Sequence, residues 1–213
     1  LCIYDAMNKG AAAACGEYIN FMNAGDCFYS HDVLTQAAMA AEGATKSHPV
    51  IISGDCAVYE YGRFYRFPKS LSNICENMPI SHQSVFAALD FVRSHPFDTG
   101  FRYSADYDFL LTAYDEGVSF FDAGEFICIT TADGLSSVNY HDTLMESAEI
   151  LKKHGKYRHS EDELKKTARV LRIKQFVLDH FPVFIKKYIR GRQIEKRGQK
   201  IQVDIPKWFE SMV

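Results

Sequence analysis

The stretch EYINFMNAGD, residues 17–26, decides how the chain is read. Tyr18, Ile19, Phe21 and Met22 make a short apolar run, preceded by Gly16 and closed by the polar turn Asn23-Ala24-Gly25-Asp26. Such a run is predicted to be a buried strand of a parallel sheet. Ligands of open α/β sheets sit beyond the carboxyl ends of these strands, so Asp26 is delivered to where a site is expected. A carboxylate there is a hard oxygen ligand suited to magnesium or manganese, ions that are commonly shared with a substrate's phosphates. Taken alone, the tetrapeptide reads more simply as an Asp capping the next segment.

Working outward, residues 5–15 (DAMNKGAAAAC) predict a helix packed under the sheet, with Asp5 at its start and Gly16 past its end. A second helix is expected from Asp32 to Glu42. Strands follow at Val50–Ser53 and Ala57–Tyr61, with Tyr61-Gly62-Arg63 turning into the aromatic and basic RFYRF. A short helix near Leu71–Glu76 precedes ISHQSVFA (80–87), read as a strand that carries His82 and Gln83. Between Ala105 and Glu116 the apolar residues 107, 110, 111 and 114 have helical spacing, and Gly117 stops them. That spacing puts Asp106 in a first turn, among free backbone donors and the helix dipole. Val118–Phe121 and Phe126–Thr131 read as strands, and helices are predicted at 143–154, 161–180 and, after Pro182, 183–190.

The apolar and charged fractions are ordinary for a globular protein, and no apolar run is long enough to span a membrane. Without a charged-then-apolar leader at its start, the chain is expected to be cytoplasmic. Six scattered cysteines with no C-x-x-C pair argue for reduced thiols over a disulfide frame or zinc site. Charge is divided. Residues 1–150 hold 7 Lys and Arg against 20 Asp and Glu, a net of −13, whereas 151–200 hold 16 against 5, a net of +11. An acidic body thus carries a basic segment, and different partners are expected for the two.

Taken together, IYDAMNKG (3–10), A-x-GEYI-x-FMNAGD (14–26), PISHQSVF (79–86), SADYDFLL (104–111) and DGLSS (133–137) resemble, in order, the motifs of the inverting family 2 glycosyltransferases of bacterial polysaccharide synthesis. The resemblance implies an α/β fold of the GT-A type over 1–141, lacking its opening βα units, with a helical basic extension over 142–213. It also implies transfer of a sugar from a nucleotide-diphosphate donor to a saccharide or lipid-linked acceptor, with inversion, in cell-surface polysaccharide synthesis.

By that resemblance Asp26 is the metal ligand, holding a manganese or magnesium ion that bridges the donor's diphosphate. Asp106 corresponds to the acceptor-activating base. Asp5 and Asn8 fall in the segment lining the nucleotide side, His82 and Gln83 match a pair at the floor of the site, and Asn23 and Asp108 stand beside the two acidic positions as substrate-binding candidates. Departures accompany the match: Asn23 stands where many relatives have Asp, Ala105 where Glu is usual, and Thr112 where Arg often follows. The missing opening units, which hold base and ribose, leave a non-catalytic remnant serving as a binding or assembly module as the alternative. No nucleic-acid partner is expected.

Read from their chemistry, two separated carboxylates suit glycosyl transfer, one aiding departure of the diphosphate and the other taking the acceptor's proton. They also suit glycoside hydrolysis, so it is the motif set that favours transfer. Asp106 and Asp108 also fit a plain helix N-terminus, and His82 a structural histidine. Residues 165–192 interleave Leu, Ile, Val and Phe with nine Lys or Arg and one acid, Asp179. This suits an amphipathic segment on the inner face of a membrane, and equally a helix pair packed on the acidic body.

Overall fold

The computed structural model describes residues 2–42, 49–60, 62–131, 139–180, 192 and 199–201. In chain order these form α1 (Ile3–Ala13), β1 (Tyr18–Ile19), β2 (Cys27–Phe28), α2 (Val33–Glu42), β3 (Val50–Glu60), β4 (Arg63–Phe67), β5 (Val85–Ala88), α3 (Leu89–Ser94), α4 (Ala105–Asp115), β6 (Ser119–Thr131), α5 (Tyr140–Lys153), α6 (Glu161–His180) and β7 (Gln199–Ile201). Short 3-10 turns lie at Leu71–Asn73 and His82–Ser84.

Strands β3 and β6 run parallel, from Val50 opposite Ser119 to Tyr59 opposite Thr131, and form the spine of one mixed sheet. The other edge of β3 is shared. Its first residues pair antiparallel with β5 and its last with β4, so the sheet forks midway. β1 extends the β5 branch and β7 the β4 branch, while β2 pairs with β6.

Val50 to Ala57 is buried throughout, because both faces of β3 are covered. Ile51 points into the larger core with residues of α1, α3, α4 and α5, such as Met7, Val92, Leu110 and Ile150. Val50 and Ile52 point the other way, onto Val33 and Ala37 of α2. This alternation is the two-residue period of a strand, and it builds a three-layer α/β arrangement. α5 belongs to the larger core through Ile150 and Leu151, and α6 lies along α5 with Leu164, Ala168 and Leu178 buried.

Several expectations are corrected. The Tyr18 stretch is a two-residue, half-buried strand antiparallel to β5, not a buried parallel strand. His82 and Gln83 lie on a 3-10 turn, with the strand beginning only at Val85. The separate strands expected at 50–53 and 57–61 are one, as are those at 118–121 and 126–131. Their interruptions, Gly54 and the Gly124 region, are absorbed as register shifts, with Gly124 at φ 78°. RFYRF is a strand paired with β3 in a hairpin. DGLSS and the helix expected at 183–190 lie outside the described residues.

Candidate functional site

The site assembles where α4 begins, beside the ends of β1 and β5. Asp106 is fixed in the first turn of α4 because Ala105, Tyr107, Leu110 and Leu111 anchor that helix in the core. Its carboxylate looks back towards α1 and the His82 turn. Tyr4 donates its hydroxyl to Asp106 Oδ1 at 3.0 Å, and the Tyr107 N–H donates to the same oxygen at 3.0 Å. His82 Nδ1 lies 3.0 Å from Oδ2. The two side chains remain 15% and 22% exposed.

On its other side, His82 Nε2 lies 3.2 Å from the Asn23 side-chain nitrogen. An amide NH2 can only donate, so Nε2 accepts and Nδ1 carries the proton given to Asp106; this tautomer is assigned from the hydrogen-bond network. The next residue serves the second carboxylate. Gln83 Nε2 donates to Asp26 Oδ2 at 2.8 Å, and the Ser81 hydroxyl donates to Gln83 Oε1 at 2.6 Å, which orients the amide. The Thr131 N–H, at the end of β6, approaches Asp26 Oδ1 at 3.4 Å. Asn20 fixes the turn from below, donating to the carbonyls of Gln83 and Val85 at 2.9 and 2.8 Å.

Burial, and after it the Asp106 charge, holds the Tyr4 hydroxyl far above the usual tyrosine range, so Tyr4 stays a donor. Burial, then the Asp26 charge, pushes the Cys27 thiol up to about 11. Behind Asp106 and His82 is an apolar cavity of about 20 Å³, walled by Ile19, Phe21, Phe97 and Phe109, with room for about one water.

Asp26, Asn23, His82, Gln83 and Asp106 are thus brought together. Asp5, Asn8 and Asp108 do not join them. Asp5 pairs with Lys9 one turn on, at 2.8 Å. Asn8 clamps the Phe97 backbone, donating to its carbonyl and accepting from its N–H, both at 2.9 Å. Asp108 is turned to the other flank of α4, where Lys153 Nζ at 2.9 Å and His154 Nε2 at 3.0 Å tie it to the end of α5.

Sequence reasoning gave no role to Tyr4, Asn20 or Ser81. The signal for Tyr4 was present: Tyr4, Met7 and Ala11 share the buried face of α1, whereas Asp5 is on its outer side. Asn20 and Ser81 act through long-range contacts that no local pattern carries.

Among the described residues no group of three His, Cys, Asp or Glu side chains is arranged to hold a metal. One carboxylate, Asp26, with water and substrate phosphates completing the shell, nevertheless fits the way magnesium is commonly bound. Chemically, the arrangement offers an accessible carboxylate held by three donors and a second carboxylate joined to it through one turn. The chain matches no known family model, and no curated protein matches it.

Proposed function

We propose that the chain forms the metal and acceptor side of an inverting glycosyltransferase of the GT-A type, acting on a nucleotide-diphosphate sugar and a saccharide or lipid-linked hydroxyl in cell-surface polysaccharide synthesis. The observation that carries this reading is the joining of Asp106 and Asp26 through adjacent residues, His82 and Gln83. The motif resemblance and the mixed sheet with helices on both faces support it as well.

In this reading Asp106 Oδ2 receives the proton of the acceptor hydroxyl as that oxygen attacks the anomeric carbon. The bond from that carbon to the diphosphate oxygen breaks on the opposite face, its electron pair leaves with the nucleotide, and the configuration inverts. Proton transfer of this kind contributes about 10²–10⁴-fold. Tyr4 and the Tyr107 N–H hold the carboxylate in place, and His82, fixed in its tautomer by Asn23, orients Oδ2. Asp26 would hold the manganese or magnesium ion, oriented by Gln83, and when bound that ion supplies neutralisation of the diphosphate's growing charge.

The test is to incubate the full-length protein with a panel of nucleotide sugars and saccharide acceptors, with and without manganese, and to determine product anomers by NMR. Manganese-dependent transfer with an inverted anomer is expected. A retained anomer would overturn the mechanism, and donor or acceptor binding without any transfer would make the chain a binding module.

A further inference from the structure

We infer that the outer face of α6 is a docking surface for an anionic membrane. Val170, Ile173 and Phe176 are 58, 61 and 59% exposed. They succeed one another three residues apart, so they form one apolar stripe along the second half of the helix. Each has a basic residue one turn before it on the same face: Lys166 before Val170, Arg169 before Ile173, Arg172 before Phe176. All three cations are exposed, and no ion pair among the described residues holds them. Buried Leu164, Ala168 and Leu178 occupy the opposite side, facing α5, so the helix is committed to the body by one face and presents the other.

α6 runs back along α5, because Lys152 near the end of α5 pairs with Glu161 at 2.5 Å, while the Tyr140 N–H at its start meets Gln175 Oε1 at 3.3 Å. On α5, Glu146 accepts the N–H groups of Arg102 and Tyr103, just ahead of α4, at 2.8 and 2.7 Å. The middle of α5 thus meets the residues just ahead of α4, and its end, through Lys153 and His154, meets Asp108 within α4.

Charge selects the occupant. Two copies meeting through this stripe would bring six cations together, whereas an anionic leaflet neutralises them and takes the apolar groups into its interface. Each cation brought to such a surface strengthens binding roughly fivefold. Of the basic segment 165–192, residues 181–191 lie outside the described residues, and the docking surface comprises 166–176.

The experiment is sedimentation of the full chain with vesicles of pure phosphatidylcholine and of phosphatidylcholine with 10, 20 and 40% phosphatidylserine, at low and high salt. Two variants accompany it, V170S/I173S/F176S and K166Q/R169Q/R172Q. All six residues are exposed, so both should keep the fold, as far-UV circular dichroism would verify. Wild type is expected to bind in proportion to anionic lipid and to release in salt, with at least a tenfold loss in each variant. Binding indifferent to lipid charge, or unchanged in the apolar variant, would overturn the inference. So would self-association in equilibrium centrifugation that the apolar variant abolishes, which would make the stripe a contact between copies.

Discussion

His82 Nδ1 and Asp106 Oδ2 lie 3.0 Å apart although they are 24 positions apart in sequence, and the contact joins the turn leading into β5 to the first turn of a core helix. Neither partner is free to choose its orientation. Asn23 fixes the far side of the ring, and Tyr4 with the Tyr107 N–H fixes the second carboxylate oxygen. A carboxylate held in this way spends little time in other rotamers, as the proposed role of base would require.

Replacing Asp106 by Asn is therefore expected to lower transfer by about 10²–10⁴-fold, the contribution of a positioned base. Donor binding should change little. Separate measurement of donor affinity and of the transfer rate checks this split; a variant retaining more than a tenth of the rate would remove Asp106 from the base role.

Asp26 and Gln83 should separate ligation from orientation. Asp26→Ala is expected to abolish manganese-dependent turnover. Gln83→Ala, which removes only the amide that orients the carboxylate, should weaken manganese binding by about 10–100-fold. Titration of turnover against manganese distinguishes the two.

Asp108 sits two residues from Asp106 but holds α4 to α5. Asp108→Asn leaves His154 and Lys153 with a poorer partner and is expected to cost about 1–3 kcal/mol of stability, read from urea unfolding. The transfer rate of the remaining folded protein should stay within a few-fold of wild type. A catalytic loss like that of Asp106→Asn would contradict the placement.

Tyr4 gives a pH signature. Its folded pKa is raised by burial and by Asp106, so above the ordinary value of about 10 the unfolded chain gives up a proton that the folded protein keeps. The folded state then binds more protons, and stability falls as pH rises. This contribution is fully present below about pH 10 and is lost above it. Tyr4→Phe should lower stability near neutrality by about 0.5–1.5 kcal/mol, through the lost hydrogen bond, and flatten the alkaline decline. Urea midpoints between pH 8 and pH 11 would show it, with Tyr107 and the Cys27 thiol, both held above their usual ranges by burial, contributing to the decline that remains.

Helices were legible because their signals are local. The stops at Gly16 and Gly117, and the spacing around Leu110 and Leu111, bring the predicted α1 and α4 within a few residues of the observed ones. Strands were legible in place, at 50–60 and 119–131, but not in their pairing or continuity, because a ladder is set by distant partners. Tyr18 and Ile19 are apolar enough for a parallel core strand, yet their partners, Ala88 and Ala87, run antiparallel. Gly54 and Gly124 read as breaks, but in β3 and β6 they are bulges inside continuous strands. Among site residues, Asp26, His82, Gln83 and Asp106 stood in recognisable motifs, whereas Asn20 has no meaning until Val85 is folded beside it.

The turn at His82–Ser84 lends neighbouring residues to two carboxylates, and only one peptide unit separates their grips. Such a joint sets the two carboxylates in one relation to each other. Asn20, which donates to the Gln83 and Val85 carbonyls, holds that unit in place. On the proposed function the two halves of the chemistry are thereby geared: a donor group at Asp26 and an acceptor at Asp106 would be held in one fixed relation by a single peptide unit.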